Sequence, residues 1–261
     1  MPEYSPQNLV STAWAFAKVM VMNTTLLNAI ASAAMRLIVE FDGQQLGNTA
    51  WAYAKLGMWH EPLFDALAAS AISIGAAMGS QEISNTAWSF ATSMIRNEPL
   101  LHALAAQALL RIADFDAQAL SMTAWACATC LFCRLPLLNV IASESCNKIR
   151  DFDIHSLAIL AWAFAAVSMY NAPLLPAISA SAMSRMSNCT PQSLANLAWS
   201  CARLKYVDVP LLNASAAPAV ATCHEFLPLN LSNLAWAFAV LVYNHSPFIE
   251  VMSCAVISKL G

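Results

Sequence analysis

The stretch that decides the fold reads Ser-Thr-Ala-Trp-Ala-Phe-Ala at residues 11–17 and returns as Asn-Thr-Ala-Trp-Ala-Tyr-Ala at residues 48–54. Its tryptophan occurs seven times, at intervals of 37 residues, at Trp14, Trp51, Trp88, Trp125, Trp162, Trp199 and Trp236. A fixed period of this length is typical of a solenoid, in which each structural unit packs on its neighbours. The period therefore predicts a repeat protein that fills the whole chain.

Each period carries the start and stop signals of two helices. In the second repeat, Asp42 and Gln45 form a capping-box pattern before the motif, residues 57–61 form a turn, and Pro62 opens a second helix. No alternating strand pattern is present. We therefore predict an all-α, right-handed α-solenoid of seven αα-hairpins, with the first helices on the concave surface. The predicted repeats are 5–41, 42–78, 79–115, 116–152, 153–189, 190–226 and 227–261, after an N-terminal extension of residues 1–4.

The composition of the chain narrows the range of possible functions. Apolar residues make up 59% of the chain, charged residues 10%, and the formal net charge is −3, so strong nonspecific binding to phosphates is not expected. The uncharged stretch 156–184 is long enough to span a bilayer. Because Asn171, Pro173 and Pro176 lie at its predicted turn, we expect no membrane insertion.

The chain ends and the cysteines provide further expectations about the protein. No signal peptide is visible, and the eight cysteines show no disulfide framework, which indicates reduced thiols in an intracellular protein. Neither end resembles a solenoid cap, which favours an excerpt of a longer array.

A helical wheel of the first helix assigns its faces. Leu46, Ala50 and Tyr53 fall on one face, predicted to pack on the partner helix, and Trp51 falls at the edge of that face, which indicates packing between repeats. The opposite side is predicted to be a binding stripe. It comprises the residues six and three before, and one and four after, each tryptophan, and its small or amide-bearing side chains vary among repeats.

The phrase Gln-x-Leu-x-Asn-x-Ala-Trp-Ala-x-Ala-x-Leu, followed by Pro-Leu-Leu, resembles the octotricopeptide and heptatricopeptide repeats, which are related to the helical part of FAST-kinase-domain proteins. The similarity is clearest at residues 44–56 and 192–204, and Met122, His155 and Ile159 depart from the pattern. The resemblance implies sequence-selective binding of single-stranded RNA, with roughly one base per repeat. It also implies a role in mitochondrial or plastid transcript processing, stability or translation.

Candidate RNA-binding residues come from the predicted stripe. Amides at Asn48, Asn85, Asn196 and Asn233 suit base edges, although asparagine also caps or bridges helices. Lys18, Lys55 and Arg203 suit phosphates, although they are also ordinary helix-end cations. The full set is Asn8, Ser11, Lys18, Gln45, Asn48, Lys55, Asn85, Asn196, Arg203 and Asn233.

Other polar groups are interpreted as structural. Cations near the ends of second helices complement the helix dipole; they are Arg36, Arg111, Lys148, Arg150, Arg185 and Lys259. The Cys127, Cys130 and Cys133 run resembles a metal motif, but it occupies interior and turn positions of the repeat. The histidines at 60, 102, 155, 224 and 245 fit no catalytic arrangement. We therefore predict no enzyme activity, cofactor, metal or small-molecule substrate.

Two other classes of function stay open. An armadillo-type scaffold for protein partners fits the negative net charge and the long uncharged stretch of the fifth repeat. A decayed or fragmentary repeat would have no function of its own. A positive strip along the first helices would favour RNA, whereas a neutral or acidic face would favour the scaffold.

Overall fold

The structure is a computed structural model that describes residues 4–222, 225–243 and 246–260. This part of the chain contains fourteen α-helices and no strand. The helices are α1 Pro6–Lys18, α2 Thr24–Leu37, α3 Gly43–Leu56, α4 Glu61–Ile74, α5 Ser80–Thr92, α6 Glu98–Arg111, α7 Ala117–Thr129, α8 Leu135–Asn147, α9 Ile154–Ala166, α10 Leu174–Met183, α11 Pro191–Arg203, α12 Val209–Ala221, α13 Pro228–Val240 and α14 Ser246–Leu260. Each odd-numbered helix carries one of the seven motif tryptophans.

Polar side chains begin many of these helices as the sequence predicts. Oδ1 of Asp42 accepts a hydrogen bond from the Gln45 backbone N–H at 2.8 Å, and Oε1 of Gln45 accepts one from the Asp42 N–H at 3.1 Å. This reciprocal pair is the predicted capping box. Asp116 and Asp153 cap α7 and α9 in the same way, each accepting a backbone N–H at 2.7 Å.

A residue in the left-handed conformation follows every first helix, six positions after its tryptophan. The residues are Met20, Gly57, Met94, Leu131, Ser168, Lys205 and Val242, with φ between 52° and 64°. The next N–H bonds back five residues, as from Met58 to the Tyr53 carbonyl at 2.9 Å, which is the Schellman arrangement. Only Gly57 is a residue suited to this backbone, so the fold imposes the turn on side chains that disfavour it.

Replacing Met94 with Gly is expected to stabilise the protein by about 1 kcal/mol, because the left-handed conformation strains a residue that has a Cβ. The Met94 side chain is 91% exposed, so little packing is lost. The reciprocal change, Gly57→Ala, meets no neighbouring atom within 4 Å and should cost a similar amount through the backbone alone. Urea-unfolding midpoints test the pair; equal midpoints for Met94→Gly and the parent would contradict it.

The helices form two compact units, one up to Ile141 and one from Ala142, with the boundary inside α8. In the first unit α1, α3, α5 and α7 lie side by side; in the second, α9, α11 and α13 do so. Within each unit the second helices also contact one another, α2 with α4 and α4 with α6 in the first and α10 with α12 and α12 with α14 in the second, but less closely than the first helices do. Each unit is thus an all-α solenoid, as predicted, whereas the right-handed twist, the count of seven repeats and the single array over 5–261 stay predictions.

Small residues allow the first helices to approach one another. A Cβ added at Gly47 of α3 would lie 3.6–3.7 Å from atoms of Thr86, Asn85 and Glu82 on α5. Alanines such as Ala50 and Ala124, which are both fully inaccessible to solvent, provide similarly small side chains at other positions. Close packing of this layer is what is expected if the first helices lie on the inner side of each stack.

The uncharged stretch folds as two short helices. The Asn171 side chain accepts the Leu174 N–H at 3.0 Å at the predicted turn, between α9 and α10. Among the described residues, none of the helices combines the length and hydropathy that a membrane span requires.

Candidate nucleic-acid interface

The predicted binding stripe is wrong where its residues are buried, which is in six repeats at the position after the tryptophan and in four repeats at the position six before it. Residues directly after the tryptophan are fully buried from the second repeat onward, each at most 1% exposed: Ala52, Ser89, Ala126, Ala163, Ser200 and Ala237. The position six before the tryptophan is buried in the last four repeats, at Ala119, Ser156, Ser193 and Asn230. The wheel considered one packing partner, but a helix such as α3 contacts α1, α4 and α5. Three neighbours leave only a narrow arc for solvent.

The exposed arc runs through the tryptophan itself. It comprises the residues seven and three before each motif tryptophan, the tryptophan, and the residue four after it, which is a line of neighbours along one side of a helix. We call this line the tryptophan surface. By helix it contains Gln7, Ser11, Trp14, Lys18; Gln44, Asn48, Trp51, Lys55; Gln81, Asn85, Trp88, Thr92; Gln118, Met122, Trp125, Thr129; His155, Ile159, Trp162, Ala166; Gln192, Asn196, Trp199, Arg203; and Leu229, Asn233, Trp236, Val240.

Three pairs of tryptophans from successive repeats are in contact, one pair in the first unit and two in the second. Ring centroids lie 6.3 Å apart for Trp88 and Trp125, 6.3 Å for Trp162 and Trp199, and 6.2 Å for Trp199 and Trp236. These contacts confirm the predicted role in packing between repeats. The rings nevertheless stay half-exposed, and Trp14 and Trp236 reach 41% and 42%. The second unit therefore presents a ladder of three indole rings to solvent, and the first unit presents the Trp88–Trp125 pair together with the partly exposed Trp14 and Trp51.

Cations are few on this surface. Nζ of Lys18 lies 5.2 Å from the Trp14 ring centroid and 5.9 Å from that of Trp51, so one ammonium bridges two repeats through cation–π contacts. Lys55 and Arg203 are exposed one turn after Trp51 and Trp199. These three cations are the ones that the tryptophan surface carries.

The other predicted site residues divide into two groups. Asn48, Asn85, Asn196 and Asn233 are half-exposed one turn before their tryptophans, and Ser11 accepts a hydrogen bond from Gln7 at 3.1 Å at the equivalent position. Asn8 and Gln45 lie six before the tryptophan, off the surface line. Asn8 is exposed on the first repeat, whereas the Gln45 side chain closes the capping box and contacts Gln7 at 3.5 Å.

Sequence reasoning missed the glutamines seven before the tryptophan. Gln7, Gln44, Gln81, Gln118 and Gln192 are all exposed on the surface line. Their signal was their spacing, because a seven-residue step equals two helical turns and places them on the same side as the tryptophan.

Three of the cations near the ends of second helices make structural contacts. Nη1 of Arg111 donates to the Met78 carbonyl at 2.8 Å, and Nη2 of Arg185 donates to the Arg150 carbonyl at 2.7 Å, so each joins its repeat to the preceding one. Lys148 pairs with Glu144 at 3.0 Å, and its hydrogen bond lowers the pKa of that carboxyl. These contacts support the structural interpretation for these three residues.

The cysteine run is mostly interior. Cys127 and Cys130 are buried, and Cys133 is exposed. Burial, reinforced by the neighbouring Cys130 and Cys133, raises the pKa of Cys127 to about 12. The part of the chain that the structure describes contains no cluster of three potential metal ligands. His224 and His245 lie outside it.

Cys133 is expected to react rapidly with a thiol reagent such as DTNB in the native protein, whereas Cys127 should react only after unfolding, because the thiolate is the reactive form. Mass spectrometry of labelled peptides distinguishes them, and Cys133→Ser is the control. Fast native labelling of Cys127 would contradict its burial.

The raised pKa of folded Cys127 also stabilises the fold below the unfolded thiol pKa of about 8.5, and this contribution should be lost as pH rises toward 12.

Comparison with known proteins assigns the chain to a family. No curated protein matches the chain. A family model described as RNA-editing substrate-binding complex 6 protein matches residues 2–209, which include α1–α11 and six of the seven motif tryptophans. Since the match covers most of the sequence, the chain belongs to the RNA-editing substrate-binding complex 6 protein family.

Proposed function

We propose that this protein binds single-stranded RNA along the tryptophan surface, as a component of an RNA-editing substrate-binding complex. The observation that carries the proposal is the ladder of half-exposed indole rings, flanked on the same line by amides and cations. The family description supports the complex. The same proposal holds that the protein binds RNA without catalysing a reaction. It also holds that the protein acts in an organelle, as the repeat resemblance implies.

The exposed rings exceed what packing requires. From the second repeat onward, a fully buried alanine or serine directly after the tryptophan already contributes to the packing of the first helices. Indole faces that remain in contact with water can stack on unpaired bases, which proteins exploit because every base has a π face. The rings therefore supply affinity that is tolerant of sequence.

Selectivity would come from the flanking side chains. An exposed Asn or Gln amide both donates and accepts, so it can pair with the Watson–Crick edge of an unstacked base. Asn48 with Gln44, and Asn196 with Gln192, place two amides on the turns before one tryptophan. Lys18, Lys55 and Arg203 would hold phosphates.

Salt is expected to weaken this binding only modestly. With three cations on the surface, the slope of log K against log salt should be no steeper than about −2, at roughly −0.7 per neutralised phosphate of a single strand. Fluorescence anisotropy of a labelled oligoribonucleotide at several salt concentrations measures it. A slope near −6 would show that phosphate contacts elsewhere dominate, and would contradict the stacking mechanism.

A protein-binding scaffold is the second candidate, and specific residues favour it. In α9 and α13 the tryptophan surface carries Ile159, Leu229 and Val240, where most other repeats have polar residues. Exposed tryptophan among apolar neighbours is typical of protein-interface hot spots.

Selection from a randomised RNA pool at two salt concentrations tests the proposal. We expect enrichment of unpaired sequences and weak competition by duplex RNA. If no sequence is enriched, and substitutions in the tryptophan surface instead abolish capture of a protein partner, the scaffold replaces the RNA proposal.

A further inference from the structure

A polar pocket of about 140 Å³ lies between α5 and α7, on the tryptophan surface of the first unit. Gln81 and Asn85 line it from one helix, and Asp116 and Gln118 from the other. These residues precede Trp88 and Trp125, whose rings are in contact. The pocket is thus one turn away from a stacking platform.

The pocket exists because Ala119 is small. At the same position of the second repeat, Gln45 reaches across to Gln7 and closes the space between α1 and α3. In the third repeat, Glu82 fills the equivalent space: its Cγ lies 3.3 Å from a Cβ built at Gly43. Ala119 leaves the gap between α5 and α7 open.

The polar groups around this gap have unused hydrogen-bonding capacity. Oδ1 of Asp116 accepts the Ala119 N–H at 2.7 Å, which leaves its second lone pair and both lone pairs of Oδ2. Within the described part of the chain, no hydrogen bond is made by the side-chain amides of Gln81 and Asn85. A carboxylate and free amides together recognise a group that offers paired donors beside an acceptor.

We infer that this pocket binds a guanine base of single-stranded RNA, an inference that rests on the proposed function. Guanine N1–H and N2–H donate side by side, so they match a carboxylate in a bidentate, charge-assisted pair. An amide can then donate to O6. Uracil offers one such donor, N3–H, and adenine and cytosine each offer an exocyclic amine alone. The volume suits one base, with its sugar and phosphate outside.

The test compares a short oligouridine with the same oligomer carrying one central guanosine, by fluorescence anisotropy. The parent protein should bind the guanosine oligomer about tenfold more tightly, as expected for hydrogen bonds to a charged group. Asp116→Asn, which keeps a good helix cap, should bring the ratio of the two affinities close to unity. Ala119→Gln should do the same by closing the pocket, and it reproduces the Asp42–Gln45 capping box, so folding is preserved.

Asp153→Asn is the matched control, because Asp153 caps α9 in the same way and this change should leave the ratio unaltered. Equal binding of both oligomers by the parent, or a preference that survives Ala119→Gln, would overturn the guanine pocket while RNA binding stands. If neither oligomer binds, the proposed function fails as well.

Discussion

Replacing Ala126 with Arg is expected to lower the free energy of unfolding by about 3–5 kcal/mol, since it places an unpaired charge in a packed interface. Ala126 is 1% exposed and lies directly after Trp125, on the side of α7 that faces its neighbours. Urea or thermal unfolding followed by circular dichroism measures the loss.

Thr129→Arg is the matched control, three residues further along the same helix. Thr129 is exposed on the tryptophan surface, so stability should change by less than about 0.5 kcal/mol. The added cation should also tighten RNA binding and steepen its salt dependence. If the Ala126 variant were as stable as the Thr129 variant, the assignment of the two faces would be wrong.

Replacing Trp88 with Leu is expected to weaken RNA binding roughly tenfold to a hundredfold, because stacking on one base contributes about 1–3 kcal/mol. Leucine keeps apolar contact with Trp125, whose ring centroid lies 6.3 Å from that of Trp88, but it provides no π face. Binding of a single-stranded oligoribonucleotide by fluorescence anisotropy measures the change.

Trp59→Leu separates stacking from the general loss of an exposed indole. Trp59 is 56% exposed, stacks on Phe64, and lies in the turn after α3, away from the tryptophan surface. This variant should bind RNA like the parent, while Trp88→Tyr should recover part of the affinity. Equal losses for Trp59→Leu and Trp88→Leu would argue against the ladder as the binding element.

The sequence pattern was sufficient for the features that depend on local chemistry. Asp42 and Gln45 cap α3 as their spacing indicated, and Tyr53 is fully buried. Its hydroxyl donates to the Leu27 carbonyl at 2.5 Å, and burial raises its pKa. Contacts of this kind lie within one hairpin or between adjacent ones, so a short period specifies them.

Surface exposure depended on packing that a single helical wheel omits. Ala52 and Ala163 were placed in the predicted stripe because they are opposite the hairpin partner, yet both are fully buried by the first helices on either side. Because the wheel omits these neighbouring helices, it also assigns Trp51 to packing alone and not to the exposed surface. The left-handed turns at Met94 and Leu131 were also hidden, since neither residue signals that conformation.

The small residue after each tryptophan has a consequence for how such a chain changes its length. In the described part of the chain, this residue is a buried alanine or serine in every repeat from the second onward, and neighbouring first helices within a unit pack side by side. Recombination between any two equivalent points would therefore join surfaces that already fit, and would add or remove whole periods. Gene duplication could thus lengthen the ladder, and with it the stretch of bound strand, without any new interface having to arise by mutation.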